Sequence, residues 1–255
     1  MHKIILLILL SFSFLSFAQQ NIVELKEEFS GAIINKDYDL LVSSAKKLEL
    51  NFTGNQERYY IDVLKRLPEN AILITNNLED TYGLLCLQLY SKYKTSVSVI
   101  SLGLMNSSSK YASTILSKHK IDASFDKASP SIYLSRILKE SKQKVFISLT
   151  VSPGIYVKYQ KELFITGLSL EHKSTNHYQD LVGFNESIKE VLSTVQHLTI
   201  EKKLYTNYLP PLFTLYKMNV ERWGESKKIR YRILWIAKYL EIENGVKELL
   251  KTYEK

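Results

Sequence analysis

The sequence predicts an α/β fold: a three-layer core with a mainly parallel sheet, N-terminal helices before it and a helical, repeat-like region after it. Three observations carry that expectation. Short runs rich in apolar and β-branched residues sit at Ala71–Thr75, Ser96–Leu102 and Lys144–Val151, as suits strands buried on both faces. Stretches with apolar residues at helical spacing separate these runs, and strand–helix–strand order builds parallel sheets through right-handed crossovers. Beyond His172 only the helical period remains.

The chain opens with His2 and Lys3, then an almost wholly apolar run from Ile4 to Phe17 that closes on Ser16-Phe17-Ala18. A positive start, an apolar centre and small residues before the cut predict a cleavable export signal over residues 1–18. The run of about 14 residues falls short of the roughly 20 that span a bilayer; an uncleaved anchor is the alternative. No cysteine follows the run, which excludes a lipoprotein anchor. The expected location is periplasmic or secreted.

Residues 19–54 read as N-terminal helices. Ile22, Leu25, Phe29 and Ile33 stripe one helix over Asn21–Asn35, and Leu40, Leu41, Ala45 and Leu48 stripe a second over Lys36–Leu50. The α/β core is expected over 55–172. Its first helix, Gln56–Leu67, carries Tyr60, Val63, Leu64 and Leu67 and stops at Pro68. Leu78–Tyr93 follows the first strand, and Ser108–His119 follows the second. Ser129-Pro130 opens another helix, with the hydroxyl as N-cap and proline at the first helical position. Ser152-Pro153-Gly154 breaks the third strand. Glu162–Leu170 reads as one fourth strand, antiparallel beside the third because the connection is short. The C-terminal region, 173–255, reads as helices over Phe184–Leu198, Pro210–Trp223, Ser226–Tyr239 and Glu243–Tyr253. Packed antiparallel pairs of this size resemble helical-repeat units, although no repeated consensus is present.

Composition narrows the function classes. Cys86 is the single cysteine, so an intramolecular disulfide is excluded, and its place in an apolar helical run predicts a small buried hydrophobe. A thiolate zinc site is disfavoured for the same reason. The formal charge of +8 would suit nucleic acid, but export points instead to anionic lipid headgroups, lipopolysaccharide or acidic partners. The lysines are dispersed, which solvated helix faces explain. The basic stretch Arg222, Lys227, Lys228, Arg230 and Arg232 lies around Trp223 and Trp235; a membrane or an acidic sugar would suit it, yet Ile229, Ile233 and Ile236 mark the buried stripe of that helix and leave the charges its solvated side.

One corner invites a chemical reading. Asn76, Asn77, Glu79, Asp80 and Thr81 follow the first strand, and open α/β sheets bind ligands beyond the carboxyl ends of their strands. A polar pocket there would use Asp80 as base or ligand contact. The structural alternative is a capped helix, with Asn77 at its start and carboxylates meeting its dipole. Thr150-Val151-Ser152-Pro153 places Ser152 after the third strand, without the Gly-x-Ser-x-Gly elbow of a hydrolase. His172 and His177 have no third ligand at fixed spacing, and there is neither a Gly-x-Gly-x-x-Gly nor a phosphate loop. No metal, no cofactor and no catalytic residue is assigned.

Two segments do resemble a family. Pro68, Asn70, Ala71, Asn76, Asp80, Thr81, Leu104 and Asn106 in the first segment, and Thr150, Val151, Ser152, Pro153, Gly167 and Leu168 in the second, resemble the soluble segment of large bacterial membrane proteins related to protein O-mannosyltransferases. That family's turn carries Gly-Asp where this chain has Asn77-Leu78, and its glutamate before the glycine is Thr166 here. The resemblance spans about Gln56–His172 and lacks the multi-helix membrane part. It implies a stand-alone relative of a non-catalytic module, and it adds Asn106 to Asn76, Asn77, Asp80, Thr81 and Ser152 as candidate ligand contacts.

The leading expectation is therefore an exported, non-catalytic interaction module. It would be accessory to an envelope glycosylation or assembly complex, and its partner would be an envelope protein such as a membrane glycosyltransferase-like protein. Two alternatives stay open: a glycan-binding or glycan-acting enzyme at the carboxyl edge of the sheet, and peripheral membrane contact through the basic C-terminal helices.

Overall fold

A computed structural model describes residues 23–49, 52, 54–76, 78–123, 128–194, 202–221 and 223–254. The expected export signal lies outside these residues. The first helix, α1 (23–35), turns into α2 (Tyr38–Glu49) through Lys36, which holds φ at 58°. The Asp37 amide closes back on the Ala32 carbonyl (3.0 Å), and the Asp37 carboxylate accepts from the Leu40 amide (3.0 Å), ending one helix and starting the next. The expected stripe residues Phe29, Ala45 and Leu48 are buried together with Tyr82 and Cys86. Cys86 is fully buried and unoxidised.

The expected parallel strands are present and in register. Strand β1 (Ile72–Thr75) pairs in parallel with β2 (Ser98–Ser101), Ile72 opposite Ser98 and Thr75 opposite Ser101. It also pairs in parallel with β3 (Val145–Ser148), Ile72 opposite Val145. Helices α3 (Gly54–Lys65) and α4 (Leu78–Leu89) flank β1 in sequence. Alternation along the strands divides the core. Leu73, Val99 and Phe146 enter one cluster with α3 and α4, while Ile72, Ile74, Ile100, Val145 and Ile147 enter another with Leu134, Ile137 and Leu138. Each large apolar side chain fully withdrawn from water contributes about 1.5–3 kcal/mol, so burial on both faces explains why these strands read as continuous apolar runs.

Three expectations need correction. The single strand over Glu162–Leu170 is two strands, β4 (Leu163–Ile165) and β5 (Ser169–His172). Gly167, at φ 134°, reverses the chain, and the Thr166 amide donates to the Ser169 carbonyl (3.0 Å). The strand antiparallel to β3 is therefore β5, and the sheet order is β2-β1-β3-β5-β4. Apolar residues on both sides of the turn, Ile165 and Leu168, hid it. The helix expected from Ser108 is preceded by a separate one: α5 (Leu102–Ser107) starts directly from β2, and α6 (Ser109–Lys118) follows. Ser101 and Ser108 each accept a hydrogen bond from the amide three residues on, from Leu104 and Tyr111, so each opens its own helix. At α7 (Pro130–Glu140), Ser129 does hold the N-cap position, but its hydroxyl bonds that of Ser131 (3.0 Å) rather than a backbone amide.

After the short α8 (Pro153–Tyr156) and a 3-10 turn over Val157–Glu162, the chain returns through β4 and β5 to α9 (His177–Thr194). Then come α10 (Lys202–Thr206), α11 (Leu209–Asn219), α12 (Trp223–Tyr239) and α13 (Glu243–Tyr253). Phe184, Leu212, Ile233 and Leu250 from these helices, and Tyr208 between α10 and α11, join Leu73 and Phe146 in one cluster, so they complete the core on that face of the sheet.

Candidate functional site at the carboxyl edge

Each parallel strand ends on a hydroxyl. Thr75 lies opposite Ser101, Ser148 lies opposite Ser169, and Thr75 and Ser148 each follow the paired Ile74 and Ile147. A row of hydroxyls thus crosses the neighbouring strands at the edge where α/β sheets carry their ligands. All four residues are buried. Buried hydroxyls must be bonded, and those of Thr75, Ser101 and Ser148 are. Thr75 Oγ1 donates to the Ile100 carbonyl (3.2 Å) and lies 2.6 Å from Thr81 Oγ1. Since the single Thr75 proton goes to Ile100, Thr81 is the donor between the two. Ser101 caps α5, and its own amide reaches the Tyr111 hydroxyl (3.4 Å). Burial pushes that phenol up to about 12. Ser148 bonds Thr150 (2.8 Å).

The expected ligand contacts divide by burial. Asp80 and Thr81 are buried in α4. Burial raises the Tyr59 phenol well above its usual range, and Asp80 adds to that rise, so the Asp80 carboxylate acts on a residue of α3 inside the core. Asn76 is half-buried, and its carbonyl packs against the start of α5: a Cβ on Gly103 would meet it at 2.7 Å. Asn106 and Ser152 are exposed, one near the end of α5 and the other before α8, where Ser152 makes no side-chain cap bond. Asn77 lies outside the described residues. The corner thus has a buried inner part, Asp80 and Thr81, the half-buried Asn76, and two exposed polar residues, Asn106 and Ser152.

A second polar group escaped sequence reasoning. The Tyr208 hydroxyl donates to Asp62 Oδ2 (3.0 Å), Arg58 Nε lies 3.4 Å from Asp62 Oδ1, and Asn207 Nδ2 donates to the Tyr59 hydroxyl (3.0 Å). These contacts tie α3 to the segment between α10 and α11. Burial raises the Asp62 carboxyl, with Arg58 and the Tyr208 bond working against it. Only the i, i+4 spacing of Arg58 and Asp62 signals this group in the sequence. Of the basic stretch on α12, Arg232 is buried against the Asn185 carbonyl and side chain, Arg230 pairs with Glu254 (3.3 Å) and Lys228 with Glu225 (3.4 Å). Arg222 lies outside the described residues.

Among the described residues no group of His, Cys, Asp and Glu is arranged to hold a metal, and no helix is long and apolar enough to cross a membrane. Comparison with protein-family models, with curated proteins and with solved structures finds no match.

Proposed function

We propose that the chain is an exported, non-catalytic interaction module, accessory to an envelope glycosylation or assembly complex and held there by an envelope protein partner. The observation that carries this reading is the fate of the carboxyl edge. Thr75, Thr81, Ser101 and Ser148 spend their hydroxyls on the fold, and Asp80 is only 5% exposed. A general base has to reach its substrate's proton, and a carboxylate enclosed beside Tyr59 does not. The apolar start of the chain supports export, and the resemblance to the soluble part of O-mannosyltransferase-related membrane proteins supports a partner of that kind. The packed helical pairs α11–α12 and α12–α13 suit a protein-binding surface of the repeat type. Affinity capture of the full chain from its native envelope, read by mass spectrometry, tests the proposal. Recovery of a membrane glycosyltransferase-like or assembly protein at stoichiometric yield is the expected result. Turnover of a glycan substrate that is lost on Asp80→Asn with stability unchanged would replace the module by an enzyme.

A further inference from the structure

Helix α12 carries five cations, Lys227, Lys228, Arg230, Arg232 and Lys238, against one carboxylate, Glu225. Arg232 is bonded to Asn185, and Arg230 to Glu254. Three exposed lysines remain. Lys227 and Lys238 form no ion pair among the described residues. Lys228 meets Glu225 only at the surface, at 3.4 Å with both side chains more than half exposed, a contact of little worth in water.

These lysines share a side of the helix with aromatic residues. At about 100° per residue, Lys227, Tyr231, Trp235 and Lys238 follow one another turn by turn with Lys228 beside them, opposite the buried stripe of Ile229, Ile233 and Ile236. Glu225 falls about 120° round the axis from Tyr231. Tyr231 is 68% exposed, more than any other large hydrophobic residue among those described. Trp235 is half-buried and stacks on Tyr239, with ring centroids 6.3 Å and planes 11° apart. Tyr239 in turn meets Tyr205 edge-on at 5.9 Å. The indole is thus held by the core while the phenol of Tyr231 stands in water. Charge alone would explain a solvated face; it does not explain a phenol and an indole in line between the lysines.

We infer that this side of α12 lies against an anionic membrane surface, with Tyr231 and Trp235 at headgroup level and Lys227, Lys228 and Lys238 on lipid phosphates. Amphipathic aromatic rings sit at that level in a bilayer, and each lysine near an anionic leaflet strengthens binding roughly fivefold. An acidic protein would meet the same charge, but the side carries no carboxylate to fix a partner's register, and a fluid leaflet needs none. The contact is peripheral. The isoleucine stripe is committed to the core, and no described helix is long and apolar enough to cross a membrane. This surface is independent of the protein partner proposed above.

Co-sedimentation of the full chain with phosphatidylglycerol vesicles and with phosphatidylcholine vesicles tests this, the apolar start of the chain being common to every protein compared. Binding to phosphatidylglycerol at least about tenfold tighter than to phosphatidylcholine is expected. Lys227→Gln, Lys228→Gln and Lys238→Gln together should remove most of that preference. Tyr231→Ser should weaken binding severalfold with every charge kept. The matched variant Lys118→Gln, Lys120→Gln, Lys142→Gln removes the same charge from other exposed lysines and should bind as the native chain does. Melting temperatures establish that each variant is folded. Equal binding to the two lipids, equal losses in the two triple variants, or full binding by folded Tyr231→Ser overturns the inference. So does tighter binding of soluble polyglutamate than of phosphatidylglycerol vesicles, which would make the partner an acidic protein.

Discussion

Thr75, the last residue of β1, and Thr81, in the first turn of α4, are joined through their hydroxyls at 2.6 Å with neither side chain exposed to solvent. The bond ties the strand to the helix that leaves it, across the corner where a ligand would otherwise sit. Thr75 passes its proton to the Ile100 carbonyl (3.2 Å), so the same chain reaches β2. Replacing Thr81 by Val keeps the shape and removes the donor. A loss of about 1 kcal/mol is expected, within the usual range for a buried hydrogen bond. Urea denaturation of Thr81→Val, Thr75→Val and the double variant would show coupling between the two; strict additivity would mean that the bond does not contribute.

Asp62 gives the fold a pH dependence of defined sign. Its carboxyl is raised above the ordinary aspartate value, chiefly by burial. Between the unfolded value of about 3.9 and the raised folded value, the folded state holds a proton that the unfolded state lacks, so stability falls as pH rises. This contribution is fully present below the unfolded value and is lost as pH passes through the folded one. Relative to Asp62→Asn, which does not titrate there, the native chain should gain stability on acidification across that window. Chemical denaturation at a series of pH values checks it; a constant difference between the two proteins would refute it.

Gly83 on α4 receives the ring of Tyr60 from α3. An added Cβ would meet that ring at 2.1 Å. Alanine is the better helix former by about 1 kcal/mol, yet overpacking costs about 1–3 kcal/mol, and a rigid ring with Phe52 and Tyr59 around it has little room to retreat. Gly83→Ala should therefore lower the melting temperature, and Gly83→Ala with Tyr60→Leu should recover part of the loss.

Lys36 occupies the left-handed region at φ 58° where α1 ends. A non-glycine residue there costs roughly 1–2 kcal/mol, and glycine returns part of this through its freer unfolded chain. Lys36→Gly should raise stability by about 0.5 kcal/mol. A drop in melting temperature would show that the lysine side chain contributes more than its backbone costs.

Gln88 closes the connection between α4 and β2. Its Nε2 donates to the carbonyls of Lys94 (2.7 Å) and Val97 (2.8 Å). Gln88→Met retains length and leaves both acceptors unmet, so a loss of about 1–3 kcal/mol is expected. Amide hydrogen exchange should also speed up across 90–97, which distinguishes a loosened connection from a general loss of stability.

The sequence by itself determined the parallel part of the sheet and most helices, because period and burial are local records. Ile72-Leu73-Ile74 reads as a two-face-buried strand wherever it folds, and Glu243–Tyr253 carries its buried stripe, Val246 and Leu250, in its own spacing. Gly167 was visible as a residue but not as a reversal, since apolar residues continue through it and only β3 decides which half it pairs with. The candidate corner was visible as polar residues; whether they serve a ligand or the fold depended on Thr75 and Thr81 meeting at 2.6 Å and on the burial of Asp80. The Asp62–Tyr208 bond joins residues 146 positions apart, and a cleft at the amino edge of the sheet brings Lys118 and Lys120, at the end of α6, together with Lys142, which follows α7. Long-range hydrogen bonds and charge convergence are set by how elements pack against one another, and no local pattern encodes them.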